Sequence, residues 1–248
     1  MIVIKDLEKH FGKVDAVKGL SFRAEDGQVT GIVGHNGAGK TTTFRCLAGL
    51  LKPDSGTILV DEWDVSTARI EVQKRIGVLP DAKGLYPRLT AREHIRYFGR
   101  LYGLDDEEIE AREHILIERL GMSGFADRRT KGFSRGQRLK VALAQALVHN
   151  PKNIIFDEPT NGLDMTSVNT VHDLILELKD LGNCIVISSH IISEIAKLCD
   201  HIVIMAEGRD VMAGTAAELK KQSGHGNLES LFLQATANLG ANSLKVVS

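Results

Sequence analysis

A glycine-rich stretch near the N-terminus has the composition of a phosphate-binding loop. Its spacing is G-x-x-x-x-G-K-[ST], with Gly34, Gly39, Lys40 and Thr41 at the fixed positions. Glycines let the backbone curl so that several N–H groups point at one anion, and the following helix adds partial positive charge. The lysine can reach the β- and γ-phosphates, and the threonine hydroxyl can bind Mg²⁺. The predicted contacts with a nucleoside triphosphate are Gly34, His35, Asn36, Gly37, Ala38, Gly39, Lys40, Thr41 and Thr42.

Two acidic residues follow a second apolar run. Asp157 and Glu158 come directly after Ile154-Ile155-Phe156. Because ligands collect at the carboxyl ends of strands in open α/β sheets, we expect both side chains to face the phosphate loop. Asp157 would hold Mg²⁺ through water, and Glu158 would act as the general base that activates the attacking water. The alternative is a pair of solvated acids at the end of a strand.

His190 and a serine-glycine pair add two further candidates. His190 follows the apolar strand that ends at Ser189, so we expect it to contact the γ-phosphate and align Glu158. Ser134 can cap a helix, and Gly136 beside Gln137 would leave that helix start open to an anion. The structural alternatives are a hydrogen-bonded histidine and a simple helix cap.

The elements that must position these residues alternate between strands and helices. Unbroken apolar strands such as 154–156 and 185–187 are typical of a parallel sheet that helices cover on both faces. The segment from about 82 to 150 is nearly all helical in pattern. Two strands, Ile2–Leu7 and Val17–Phe22, precede the phosphate loop. The chain is therefore predicted to be an α/β protein with a mainly parallel sheet, an N-terminal antiparallel β part and an inserted helical lobe.

Composition excludes several classes of protein. The 248 residues are 43% hydrophobic and 25% charged, which is typical of a globular chain rather than a disordered one. A net charge of −1 argues against nucleic-acid binding by bulk phosphate attraction. Three cysteines cannot all pair, which favours a reducing compartment. Charge appears by Lys5, and no apolar run approaches the ~18–20 residues that cross a bilayer. We expect a soluble cytosolic protein that does not insert into the membrane.

The order of these motifs resembles the ATP-binding subunit of ATP-binding cassette (ABC) transporters, over residues 1 to about 222. The resemblance rests on the phosphate loop, the helical insertion, Ser134-x-Gly136-Gln137, Asp157-Glu158, Asn161-Gly162-Leu163-Asp164 and His190. It implies a P-loop NTPase core formed by residues 1–222, with the helical lobe inserted at about 82–150 and a tail at 223–248. It also implies that Phe11 stacks on adenine. Two copies would sandwich two ATP molecules head to tail, so that Ser134, Gly136 and Gln137 meet the γ-phosphate held by the other subunit.

Departures from the family pattern occur at three positions. Phe133 and Arg135 replace the first and third residues of the usual Leu-Ser-Gly-Gly-Gln signature, and Asp81 stands where the family has glutamine. Thr41, Asp157 and Asp81 are the candidate Mg²⁺ ligands. The stretch 81–93, together with Arg135 and the tail segment 227–232, is similar to the exporter subfamily that includes sodium-efflux (Nat-type) pumps.

The resemblance implies an ATPase that dimerises on ATP and drives export through a separate transmembrane permease. Its cofactors would be ATP and Mg²⁺. Its partners would be a second identical or similar subunit and the permease, which would hold it at the inner face of the cell membrane. One alternative is a small-molecule P-loop kinase, which leaves the signature and His190 unexplained. Another is a non-transport ABC ATPase that acts as a soluble regulatory module.

Overall fold

The computed structural model describes residues 1–81 and 84–222, together with Leu228 and Phe232. The strands are β1 (Ile2–Phe11), β2 (Val14–Ala24), β3 (Val29–Val33), β4 (Ser55–Val60), β5 (Trp63–Asp64), β6 (Ile76–Leu79), β7 (Asn153–Phe156), β8 (Cys184–Ser189), β9 (His201–Ala206) and β10 (Arg209–Gly214). The helices are α1 (Lys40–Leu47), α2 (Arg69–Arg75), α3 (Ala91–Leu101), α4 (Asp106–Arg119), α5 (Arg135–Leu147), α6 (Met165–Asp180), α7 (Ile192–Leu198) and α8 (Ala216–Gln222).

A six-stranded sheet forms the centre of the molecule, in the order β10-β9-β3-β8-β7-β6. Its neighbouring strands run parallel except at the edge, where β10 pairs antiparallel with β9. Every residue of β3, β7 and β8 is buried, because helices or the second sheet cover both faces. The predicted parallel sheet is confirmed.

The smaller sheet is antiparallel, with the order β2-β1-β4-β5. Successive side chains of a strand point to opposite faces, and β8 shows how this divides the core. Cys184 and Val186 join the apolar cluster beneath the antiparallel sheet and α1, whereas Ile185 and Ile187 join the cluster beneath helices α3 to α6. The N-terminal antiparallel part of the prediction is confirmed.

Helices α3, α4 and α5 form the helical lobe, and a capping box begins each one. At α3, the Thr90 hydroxyl accepts a hydrogen bond from the Glu93 N–H at 3.0 Å, and the Glu93 carboxylate accepts one from the Thr90 N–H at 2.7 Å. This reciprocal pair satisfies N–H groups that a helix start leaves without partners. None of the helices in the part of the chain that the structure describes is long and apolar enough to span a bilayer.

The sequence patterns missed β5, α2 and β6, which lie between β4 and the helical lobe, and also α8. In the tail segment 227–232, the structure describes Leu228 and Phe232. Both residues are helical, and their side chains are buried in the main apolar cluster.

Candidate functional site

The phosphate loop connects β3 to α1, as the motif requires. Gly37 and Gly39 have φ values of +85° and +104°, a left-handed region that favours glycine. A Cβ atom at Gly39 would lie 2.4 Å from the carbonyl oxygen of Ala16, so no larger residue fits there. The tight backbone brings the first turn of α1 to the edge of a cavity of about 510 Å³.

Lys40 places a buried positive charge in this cavity. Only 6% of the residue is exposed. Its Nζ donates a hydrogen bond to the Gly34 carbonyl oxygen at 2.6 Å and lies 3.3 Å from Oε1 of Glu158. The ammonium group is therefore fixed between the loop and the acidic strand end, where it can meet an incoming phosphate.

The parallel register of β7 and β8 positions the two acidic residues. Phe156 lies opposite Ile187, so the next residues, Asp157 and Ser188, are neighbours at the carboxyl ends of the two strands. The Ser188 hydroxyl donates to Oδ1 of Asp157 at 2.7 Å and accepts from the N–H of Glu158 at 2.9 Å. The structure brings Ser188 into the site, although no motif in the sequence singled it out. One hydroxyl thus fixes both acids.

Glu158 lies where three parts of the chain meet. One carboxylate oxygen faces Lys40, and the other lies 2.9 Å from Nδ1 of His190. Its backbone has φ +49°, which is strained for a residue with a side chain. The turn is closed by a hydrogen bond of 3.2 Å from the Asn161 N–H to the Glu158 carbonyl. A carboxylate held in this way can accept a proton from water beside a bound phosphate.

The cavity brings together most of the predicted site residues. Its lining from the predicted set is His35, Asn36, Gly37, Gly39, Lys40, Thr41, Thr42, Asp81, Glu158 and His190. It also includes Val14, Asp15, Ala16 and Asn161, which the motifs did not predict as contacts. Two of the loop residues, Gly34 and Ala38, are buried beneath it. The start of β2 thus forms one side of the cavity, and no local pattern in the sequence indicates this.

A smaller cavity of about 140 Å³ has Thr41, Asp81 and Asp157 in its lining. These residues come from α1, from the segment after β6 and from the end of β7. A hydroxyl and two carboxylates are the hard oxygen donors that Mg²⁺ prefers. No cluster of three or more histidine, cysteine or acidic residues suited to a metal occurs among the residues described. The donor set fits an ion that completes its coordination with phosphate oxygens and water.

Phe11 lies at the end of β1 and pairs with Val14, whose side of the hairpin lines the cavity. The residue is 49% exposed, so its ring does not belong to the buried core. Lys9 lies against it, with Nζ 5.5 Å from the ring centroid. An exposed aromatic beside a nucleotide cavity can stack on a base.

Ser134, Gly136 and Gln137 lie apart from the cavity, at the exposed start of α5. The Ser134 hydroxyl accepts from the Gln137 N–H at 3.2 Å, and the Gln137 side-chain oxygen accepts from the Ser134 N–H at 3.1 Å. Asp164 makes a similar cap on α6, where hydrogen bonds from the Ser167 N–H and hydroxyl hold the pKa of its carboxyl below the ordinary value. Ser134, Gly136 and Gln137 are therefore separate from the phosphate loop of the same chain.

Comparison with known proteins gives the family. Residues 17–161, more than half of the chain, match the family model described as ABC transporter. The chain is 44% identical over 238 residues to the ABC transporter ATP-binding protein NatA of Bacillus subtilis, covering 94% of this chain and 97% of that protein. It is 34% identical to the linearmycin resistance ATP-binding protein LnrL of the same organism, over 90% of this chain and 72% of that one.

Two solved structures extend the comparison. The structure of an ATP-binding subunit of an ABC transporter superposes with a TM-score of 0.87 at 28% identity, covering 95% of this chain and 99% of that one. The dimeric structure of a bacterial ABC transporter cassette gives a TM-score of 0.77 at 26% identity, over 87% and 99% of the two chains. Family model, relatives and structures agree, and the chain therefore belongs to the ABC transporter family, as an ATP-binding and ATP-hydrolysing subunit.

Proposed function

We propose that the cavity binds Mg-ATP, that Glu158 is the general base for its hydrolysis, and that the reaction drives export through a separate membrane protein. The observation that carries the proposal is the position of the Glu158 carboxylate, 3.3 Å from Nζ of Lys40 and 2.9 Å from Nδ1 of His190. Lys40 is where the phosphates bind, so the base and its substrate share one cavity.

In the proposed reaction, Glu158 accepts a proton from a water molecule as the water oxygen bonds to the γ-phosphorus. The bond from that phosphorus to the β–γ bridging oxygen breaks, and ADP leaves with the electron pair. Lys40 and the loop N–H groups stabilise the negative charge on the phosphates. His190 orients the carboxylate through its hydrogen bond and faces the same cavity, where it can contact the γ-phosphate.

Mg²⁺ would be held by Thr41, Asp157 and Asp81, directly or through water, and supplies charge neutralisation at the phosphates when bound. Support comes from the shared cavity that these side chains line. Ser188 orients Asp157 by its 2.7 Å hydrogen bond. Phe11 would stack on the adenine at the far end, beside the start of β2.

A second subunit would complete each site. Ser134 is exposed and Gly136 and Gln137 are half-buried in one chain, and a capped helix start with an open N-terminus suits an anion. We propose that they contact the γ-phosphate bound by the other subunit of a homodimer, or of a heterodimer with a similar chain. The dimeric structure of a related cassette supports this arrangement.

The membrane partner would dock beside the helical lobe. An apolar groove of about 360 Å³ lies between α1, α2 and α3, and Leu50, Ile70 and Leu101 line it with exposed side chains. Such a groove suits an amphipathic helix of a permease. Residues 1–222 would form the nucleotide-binding domain and 223–248 a tail, with the whole subunit at the inner face of the membrane.

The direction of transport is proposed from relatives. NatA is described as an ABC transporter ATP-binding protein, and other relatives carry names that refer to Nod factor export and to linearmycin or daunorubicin resistance. We propose that this chain also powers export, as a Nat-type subunit.

The test is ATP-dependent dimerisation of Glu158→Gln, which retains the shape of the side chain and removes the base. We expect a monomer without nucleotide and a dimer with Mg-ATP by light scattering, because bound triphosphate must bridge the two subunits. ADP in place of ATP, and EDTA in place of Mg²⁺, are the controls that should leave it monomeric. A dimer that forms equally well without nucleotide contradicts the proposed sandwich.

A further inference from the structure

Arg135, the first residue of α5, reaches across to the loop that follows the acidic strand end. Its Nη1 donates a hydrogen bond to the carbonyl oxygen of Gly162 at 3.1 Å. Gly162 has φ +70°, and a Cβ atom there would lie 2.8 Å from the same Nη1. The backbone of the loop thus lies directly against the guanidinium.

A second contact lies one residue further along the helix. A Cβ atom at Gly136 would lie 2.8 Å from Oγ of Ser167, so the two helix starts pack directly together. Ser167 is held in place by Asp164, which accepts hydrogen bonds from its N–H at 2.9 Å and from its hydroxyl at 3.0 Å. The start of α5 is therefore registered against the loop and the start of α6.

The other end of this loop carries the base. The Asn161 N–H donates to the Glu158 carbonyl at 3.2 Å, and Asn161 itself lines the nucleotide cavity. Residues 158–163 form two overlapping turns, since the Leu163 N–H also donates to the Thr160 carbonyl at 3.2 Å. Glu158 begins the first turn, and Gly162, which Arg135 contacts, lies in the second. A displacement of the α5 start thus pulls on the same segment that orients the carboxylate.

We infer that Arg135 is a positioning residue that couples the two ATP sites of the dimer. This inference rests on the proposed function, in which the start of α5 docks on the nucleotide of the other subunit. When that nucleotide is present, α5 is held, and the Arg135–Gly162 bond holds the turn that carries Glu158 of its own site. A glycine, which the usual signature has at this position, has no side chain to make this bond.

The experiment compares Arg135→Gly and Arg135→Lys with the matched control Arg138→Ala. Arg138 lies on the next turn of the same helix, and its side chain makes no hydrogen bond or ion pair with the residues that the structure describes. The readouts are kcat, KM and the Hill coefficient for ATP hydrolysis, and the affinity of the monomer for ATP at protein concentrations below dimerisation.

We expect Arg135→Gly to lower kcat about tenfold and to bring the Hill coefficient from about two toward about one, a coupling of ordinary size. Monomer affinity for ATP should stay unchanged. Arg135→Lys should recover part of the cooperativity, since its ammonium can still donate to the Gly162 carbonyl. Arg138→Ala should match the unmodified protein in every readout.

Equal cooperativity in Arg135→Gly and the unmodified protein overturns the inference. So does a loss that Arg135→Lys fully restores in kcat but not in cooperativity, because a direct charge contact with phosphate would give that result. Either outcome leaves the proposed function intact if Glu158→Gln still abolishes hydrolysis. Undiminished hydrolysis by Glu158→Gln would instead count against the proposed function itself.

Discussion

The cavity wall, which comprises the phosphate loop from Gly34 to Thr41 and the acids Asp157 and Glu158, holds its predicted site residues differently from the start of α5. Asp157 and Glu158 are 4% and 8% exposed, and each has hydrogen bonds or ion pairs from other elements. Ser134 is exposed, and its side chain bonds to its own helix start. Buried polar groups must find partners within the fold, so the fold fixes the wall. The start of α5 makes its capping hydrogen bonds within its own helix, so its exposed side is available to another molecule.

The difference teaches which part of the site is complete in one chain. In the proposed function, the wall supplies the groups for the bond-breaking step, and β7 and β8 already orient its two acids. The start of α5 would then supply a face that acts only when the other subunit docks on it. Changes in the wall should therefore alter chemistry, whereas changes at the helix start should alter assembly and leave nucleotide binding in place.

The largest expected effect is on the wall. Glu158→Gln should lower kcat by about 10²–10⁴-fold, the usual contribution of a general base, because an amide cannot accept the proton from water. ATP affinity, measured by calorimetry, should stay within a few-fold, since Lys40 and the loop are unchanged. Glu110→Gln, at an exposed position of α4, is the control and should hydrolyse normally. Near-normal turnover in Glu158→Gln would remove this residue from the mechanism.

A paired change separates a cap that is only structural from one that also serves the site. Ser134 and Thr90 both begin helices with capping boxes. Replacing either by alanine should cost about 1 kcal/mol of unfolding free energy, measured in urea. Only Ser134→Ala should also weaken ATP-driven dimerisation and hydrolysis, while its monomer still binds ATP. If Thr90→Ala impairs dimerisation as strongly, the effect comes from stability and the special status of Ser134 is lost.

The smallest expected effect is at Asp81, which is exposed after β6 and lines both the larger cavity and the smaller one that holds the proposed metal ligands. Exposed charge pairs contribute about 0.2–1 kcal/mol, so Asp81→Gln should raise the Mg²⁺ concentration for half-maximal activity by less than about fivefold. In EDTA the same change should tighten ATP binding, because a carboxylate that repels phosphate is removed. If Asp81→Gln strengthens the binding of both Mg²⁺ and ATP, or weakens both, Asp81 does not contact the metal.

Local patterns predicted the wall well because its residues are close in sequence to the elements that place them. Gly34 to Thr41 and Asp157-Glu158 carry their own strand–loop–helix context. The helix start is different, since Ser134-x-x-Gln137 and Thr90-x-x-Glu93 are alike as local patterns. Only the resemblance to a family distinguished them, because a local pattern carries no information about a second chain.

Contacts between distant segments account for what the sequence missed. Strand β6 has Gly77 in its middle, where a Cβ atom would lie 2.3 Å from the Ala146 carbonyl of α5. A glycine in the middle of a strand weakens the strand pattern in the sequence. It is needed here because helix α5, far along the chain, packs closely against it. Ser188 was predicted to lie in the strand that ends at Ser189, and only the packing of β8 beside β7 brings its hydroxyl to both acids. The Arg135–Gly162 bond has no local signature for the same reason.

The place of β3 in the sheet determines when this site can form during synthesis. Val29 at its start pairs with Ile185 of β8, and Thr30 pairs with His201 of β9. At about 5–20 residues per second, a ribosome needs on the order of 10 s after β3 to make these neighbours. Pairing between such distant segments is also slow, because a long loop must close before any contact forms. The phosphate loop is thus made well before β8 and β9, and the sheet that holds it can be completed only after they emerge.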